Sequence, residues 1–165
     1  MLKASELKGR VVLALSDGAT LGYVDEVLFD AVCRRVRGVR VKKGVLGHST
    51  IVPRVVVTVR PEAMTVPSPD TLATDDRGEE VADVVTLGQA LGTKVVSEGG
   101  ARIGTVTDIE MDDQAHFVTG CRLSVPGKHH LGHQERLMGA GQVLRVGEGG
   151  VMIVTDAVGQ DLHAS

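Results

Sequence analysis

Apolar and polar residues alternate along this chain in short bursts, and Gly, Asp or Pro marks almost every break between them. Alternation with a period of two predicts half-buried strands, and the spacing of the breaks leaves little room for long helices. A first strand is expected at Val11–Leu15 and again at Lys94–Ser97, each ending at a glycine turn, "SDGAT" or "EGGAR". A longer strand follows at Gly22–Phe29 and at Gly104–Met111. An aspartate turn at Asp30 or Asp112 then leads into a third strand, Val36–Val41 or Val118–Val125. The aspartates suit those turns because their carboxylates can accept backbone N–H bonds two residues on. "IVPRVVVTV" and "AMTV" complete the first set; "QVLRV" and "VMIVT", across "GEGG", complete the second.

The two sets are copies of one another. Shifting Gly18–Lys42 by 82 positions onto Gly100–Ser124 gives identical residues at eight of 25 positions. Gly22, Asp30 and Gly38 fall on Gly104, Asp112 and Gly120, and Arg40 falls on Arg122. These repeated glycines and aspartates are expected to be structural positions. The match extends upstream, pairing Gly9 with Gly92 and Val12 with Val95. After an insertion it resumes downstream, where "LGH" occurs at Leu46–His48 and at Leu131–His133. A period of this length is too long for a solenoid, so each copy should be a closed unit. The expected organisation is a first domain at 1–67, an acidic linker at 68–84, a second domain at 85–157 and a tail at 158–165.

Within the doubled stretch "LGYVDEVLFD" the alternation slips. Val27 and Phe29 share one face and Val24 falls on the other; Val106, Ile109 and Met111 repeat the slip. A strand that changes phase midway bends or bulges, which is how small barrels turn corners. Gly22 and Gly104, just before the slip, allow close backbone approach. The fold class expected is mainly β: two tandem small barrels.

The string G-x-x-(L/I)-G-x-V-x-(D/E)-(V/I), the aspartate turn and the V-x-G that follows resemble the PRC-barrel family. That family includes the cytoplasmic domain of the photosynthetic reaction-centre H subunit and the C-terminal domain of a ribosome-maturation factor. The resemblance covers both copies. It implies a non-enzymatic docking module, usually for protein partners. The chain lacks the H subunit's membrane helix and the maturation factor's N-terminal domain, so neither specific role transfers. The second copy departs from the pattern, with "VPGKHHLGHQERLMGAG" in place of "KKGVLGHSTIVPR" and no counterpart of Pro53.

Composition narrows the chemistry. With no Trp, one Tyr and two Phe, the core must be built from aliphatic residues. Cys33 and Cys121 form no CxxC pair, which suits a reducing compartment, and no run is long enough to span a bilayer. A cytoplasmic location without membrane insertion is expected. Residues 1–67 carry 11 basic and 6 acidic residues, against 1 and 6 in 68–84 and 6 and 9 in 85–165. The basic excess is concentrated in "RRVRGVRVKK", where Arg34, Arg35, Arg37, Arg40, Lys42 and Lys43 could face an acidic protein, RNA or a ribosomal component. A solvated face is the plainer reading of that run, and no aromatics interleave with it to stack bases.

His129, His130 and His133 in "HHLGH" are candidate ligands for Zn²⁺ or Ni²⁺. The recurrence of His48 at His133 suits a shared packing or turn role better than a metal site, and the run reads as a solvated loop between strands. Cys33 lies beside two arginines, which could lower its pKa, but a lone turn cysteine without a recognisable base is more often incidental. Asp25/Glu26, Thr107/Asp108 and Asp112/Asp113 occupy repeated strand and turn positions, which explains the acids without catalysis. GxSxG, HExxH and phosphate-loop patterns are absent. The sequence points to a binding module without cofactor, an adaptor or scaffold for another protein, with self-association left open.

Overall fold

The computed structural model describes residues 1–44, 47, 49–72, 83–127, 131–147 and 149–163. In the first half β1 (Leu2–Lys3) and a one-turn helix α1 (Ala4–Leu7) precede β2 (Val11–Ala14), β3 (Thr20–Phe29), β4 (Val36–Lys42), β5 (Ser49–Pro53), β6 (Thr58–Val59) and β7 (Ala63–Val66). The second half repeats the series: β8 (Val85–Thr86), α2 (Leu87–Ala90), β9 (Lys94–Ser97), β10 (Arg102–Met111), β11 (Val118–Pro126), β12 (His133–Gly139), β13 (Val143–Gly147) and β14 (Val151–Val154), closed by α3 (Asp156–His163). The fold is mainly β, as the alternation predicts. The last helix begins within the expected second domain and runs into the expected tail.

Each half is a curled sheet with the same strand order, β5-β4-β3-β2-β7-β6 and β12-β11-β10-β9-β14-β13. All pairs are antiparallel except β2 with β7 and β9 with β14. The phase slip is a bulge. Val24 pairs with Val41 and Glu26 with Arg40, so Asp25 is the extra residue; Thr107 is its counterpart between Val106 and Asp108. The extra residue restores phase, and Val24, Val27 and Phe29 are all buried in the core. Just before the bulge β3 and β4 approach so closely that a Cβ on Gly22, at φ +153°, would lie 2.4 Å from the Lys42 carbonyl oxygen. A Cβ on Gly104 would lie equally close to the Ser124 carbonyl oxygen.

Gly38 and Gly120 have a task that their place after the aspartate turn did not disclose. Gly120 is no part of that turn; it is a buried residue inside β11, paired with Glu110 on one side and Gly139 on the other. A second register shift lies beside it. Glu110 pairs with Gly120 and Met111 with Val118, which leaves Thr119 as the extra residue, and Arg37 is extra in the same way next to Gly38. A Cβ on Gly120 would lie 2.7 Å from the Met138 carbonyl oxygen and 2.9 Å from Leu137 Cδ1. One on Gly38 would lie 2.6 Å from the Val52 carbonyl oxygen. The same three-then-two spacing that marks the first bulge recurs here, in Val36, Val39 and Val41 and in Val118, Cys121 and Leu123, so the second bulge also breaks the alternation.

Both long strands outrun their neighbours. β2 covers only the beginning of β3, pairing with Thr20–Tyr23. The exposed edge at Leu28–Phe29 is taken by β8, from the other half. Reciprocally, β1 pairs with Glu110–Met111 at the end of β10. Each half therefore lends a short arm to its partner's sheet, which caps an edge that would otherwise be open. Polar contacts fix the arms. Asp108 accepts bonds from the Ser5 backbone N–H (3.2 Å) and hydroxyl (2.5 Å) and from the Ile109 N–H. Glu26 does the same for the N–H groups of Gly88 and Val27. Leu7, Leu87 and Ala90 on the arms are fully buried, and the buried side chains of both halves form one contiguous cluster.

A second contact joins the halves at the aspartate turns. Arg35 and Phe117 form a β-bridge, flanked by Val36 N–H to the His116 carbonyl (3.0 Å) and Val118 N–H to the Arg34 carbonyl (2.9 Å). Position 35 is the repeat equivalent of 117, and 36 of 118. The pseudo-two-fold axis relating the halves passes through this bridge.

Candidate interaction surface

The turns at the bridge are built by their aspartates. The Asp30 carboxylate accepts the Arg34 N–H at 2.7 Å, and Asp112 accepts those of Gln114, His116 and Phe117. Partial burial opposes ionisation of Asp112, but the three backbone N–H groups outweigh it and hold its carboxyl below the usual carboxylate range. Asp113 meets the N-terminal amine at 3.3 Å.

Each turn then inserts its left-handed residue, Cys33 (φ 52°) or Ala115 (φ 55°), into buried space. Burial pushes the Cys33 thiol up to about 12, with further contributions from nearby Cys121 and Asp30; burial alone does the same to Cys121. Arg34 and Arg35 do not lower the Cys33 pKa: both side chains point to other partners and desolvation dominates. Arg34 donates to the Val143 carbonyl at 3.0 Å, and Arg35 lies over the Phe117 ring, 5.3 Å from its centroid.

Arg54 was not singled out by sequence, and it is the most deeply buried described arginine at the contact. It is 6% exposed and donates to the carbonyls of Ala115 (2.9 Å), Val57 (2.5 Å) and Gln114. Burial lowers its pKa, opposed by the charge of Asp112. A lone charge inside the valine run "IVPRVVVTV" was the available signal. By repeat position Val57 corresponds to Val143, so equivalent carbonyls are satisfied from different directions, one by Arg54 and the other by Arg34.

Of the remaining basic candidates Arg37, Arg40 and Lys42 lie on β4 and Lys43 directly follows it. Val39 and Val41 face the core, while Arg37 and Lys43 are exposed and Arg40 and Lys42 are half-buried. Arg40 is held by Asp25 at 2.8 Å. Its counterpart Arg122 is clamped between Glu110 (2.6 Å) and Glu135 (3.0 Å), so no net positive charge remains at that place in the second half. The six residues of the basic run are thus divided: Arg34 and Arg35 serve the contact between halves, Arg37, Arg40 and Lys42 lie on one outer strand, and Lys43 follows its end.

Two clefts recur at equivalent positions. One, of about 330 Å³, is lined by Thr20, Leu21, Gly22, Lys43 and Gly44; the other, of about 250 Å³, includes Arg102, Ile103, Gly104, Ser124 and His133. A third opening of about 560 Å³ lies between the halves, with Asp83 as the acidic residue among its described walls. His48, His129 and His130 lie outside the described residues. His133 is the first residue of β12, so the segment read as a loop continues as a strand. Among the described residues no group of three or more His, Cys, Asp and Glu is placed to hold a metal ion. No described helix is long and apolar enough to cross a membrane.

These features define a double barrel with mostly structural polar groups. A PRC-barrel domain model matches residues 82–160, and the second half is a PRC-barrel domain. The first half repeats its sequence pattern and strand order, so the chain carries two PRC-type barrels in tandem. No curated protein matches the chain. Among solved structures, one described as a 16S ribosomal RNA processing protein, RimM, from Pseudomonas aeruginosa aligns over 92% of this chain and 97% of that chain, at 14% identity and a TM-score of 0.31.

Proposed function

We propose that this chain is a non-enzymatic docking module, an intracellular adaptor or scaffold that presents protein partners with the outer faces of two fused barrels. The observation that carries this reading is the exchange of arms, which holds the two outer faces in a fixed relation. A rigid pair of surfaces loses less freedom on binding than two tethered domains. The chemistry is consistent with it. Both thiols are buried and protonated, the repeated acids serve bulges and turns, and the equivalent clefts bring no acid–base pair together among the described residues. Affinity capture on the full chain at low salt, repeated with cross-linking and peptide mapping, tests the proposal. It predicts reproducible partners whose cross-links fall on both halves; consistent recovery of none overturns it.

A second reading, an RNA- or ribosome-associated factor, is favoured by the one-sided charge of β4. Arg37, Lys42 and Lys43 stand where the second half has Thr119, Ser124 and Val125. If two or three of them neutralise phosphates of single-stranded RNA, log K should fall with log salt at a slope of about −1.4 to −2. The double variant Lys42→Glu/Lys43→Glu should abolish that binding. RNA affinity unchanged by it leaves the protein-docking reading alone.

A further inference from the structure

The contact between the halves has the form of a two-fold interface between separate molecules. Leu2 on Met111 is matched by Val85 on Phe29, and Lys3 on Glu110 by Thr86 on Leu28. Ser5 on Asp108 is matched by Gly88 on Glu26, and Val36 on His116 by Val118 on Arg34. In an isologous interface each contact occurs twice with the roles exchanged. Nothing in these contacts requires the two halves to belong to one chain.

We propose that a second copy of this chain is a partner for this surface, through reciprocal exchange of halves. The first half of one copy seats on the second half of the other, and the reverse, giving a closed dimer with every native contact kept. Residues 73–82 connect the halves. Ten residues reach at most about 33 Å when extended.

The bridge at the axis selects this pairing over others. Within the chain it places the Arg35 guanidinium on the Phe117 ring. Two first halves meeting there would set Arg35 against Arg35, an unfavourable like-charge juxtaposition, and neither second half would then have a cation for its Phe117. Arg54 adds to the selection. It bonds the Ala115 and Gln114 carbonyls across the contact, and the second half has Ala140 at its position, with no donor to offer. First-with-second is the pairing that satisfies both.

Because the contacts are the same in both forms, the balance is set by tethering alone. A connection of ten residues supplies an effective concentration on the order of millimolar, so monomer prevails in dilute solution and exchange becomes favourable near that concentration. The arms must detach for exchange, which makes a dimer formed during concentrated refolding slow to revert on dilution.

The test refolds the full chain from denaturant at about 10 μM and about 1 mM and measures mass by light scattering. The double variant Ser5→Cys/Asp108→Cys marks which chain supplies the arm. Exchange predicts a dimer fraction that rises several-fold with refolding concentration and a disulfide that joins two chains on a non-reducing gel. Monomer at both concentrations overturns the proposal, and so does a dimer whose disulfides close within single chains. If that variant fails to fold, wild-type chains, one population ¹⁵N-labelled, are refolded together. Native mass spectrometry should then show mixed-mass dimers in which the Val85 and Leu2 amides stay as protected as in the monomer. Dimers with deprotected arms refute exchange.

Discussion

Replacing Arg54 with alanine removes the guanidinium that ties the first barrel to the aspartate turn of the second. Two of its acceptors, the Val57 and Ala115 carbonyls, sit in buried bonds. Leaving a buried carbonyl without a donor costs about 1–3 kcal/mol, so two cost about 2–6. Part of that is returned, because burial disfavours the charged guanidinium in the first place. The net expected loss is about 2–4 kcal/mol, which for a chain of this size lowers Tm by roughly 5–15 °C. Arg34→Ala is the internal control. Arg34 is exposed and makes one bond, to the equivalent carbonyl at Val143, so its removal should cost about 0.5–1.5 kcal/mol. With no Trp in the chain, urea unfolding is best followed by far-UV circular dichroism. If Arg54→Ala costs no more than Arg34→Ala, the assignment of Arg54 as the buried tie is wrong.

Further outcomes follow from the same structure. Gly22→Ala, with its Cβ 2.4 Å from the Lys42 oxygen, should cost about 3 kcal/mol or more, whereas Gly92→Ala, at φ +82° in open space, should cost only about 1–2; equal costs would refute the close strand approach. Because the folded-state pKa of Asp112 is depressed, its contribution is present above the ordinary carboxylate value and lost as pH falls below it. The stability gap between wild type and Asp112→Asn should therefore close below about pH 4, and a gap constant from pH 7 to pH 3 would contradict the turn's electrostatics. Both thiols titrate near 12 in the fold, so their contribution is full below their unfolded value and disappears as pH rises toward 12. At pH 8 neither should react with a thiol reagent until denaturant is added; rapid native labelling of Cys33 would show that its turn is not packed as described.

Much of the barrel could be read directly, because its devices are local. The alternation placed β2, β3 and β4 and their copies within a residue or two. The phase slip at Val24 and Val106 announced the first pair of bulges, and Asp112 builds the turn it was expected to build. The second pair, beside Gly38 and Gly120, carries the same spacing, at Val36, Val39 and Val41 and at Val118, Cys121 and Leu123, but it was not singled out in the sequence. β12 was hidden because Gln134, Glu135 and Arg136 carry charge or amide where a strand usually shows apolar alternation; it is an edge strand with one deeply buried side chain, Met138. The arms were hidden for a different reason. Two-residue strands and one-turn helices carry almost no periodic signal, and their partners lie far away in the sequence. The candidate surface was legible in part: the charge of Arg34–Lys43 was visible, but its division between the inner contact and the outer strand depends on a pairing across the repeat. Glu26 and Asp108 looked like idle strand acids for the same reason, since Gly88 and Ser5 reach them only after the halves have come together.

The claim on which the whole account rests is that two barrels form one body by lending each other an arm. A protease site inserted between Asp76 and Arg77 allows the folded chain to be cut with no change to the residues in contact. With the arms exchanged, the fragments stay together, elute as one species near 17.3 kDa and unfold in a single transition. Two separately eluting, independently folded fragments would contradict it.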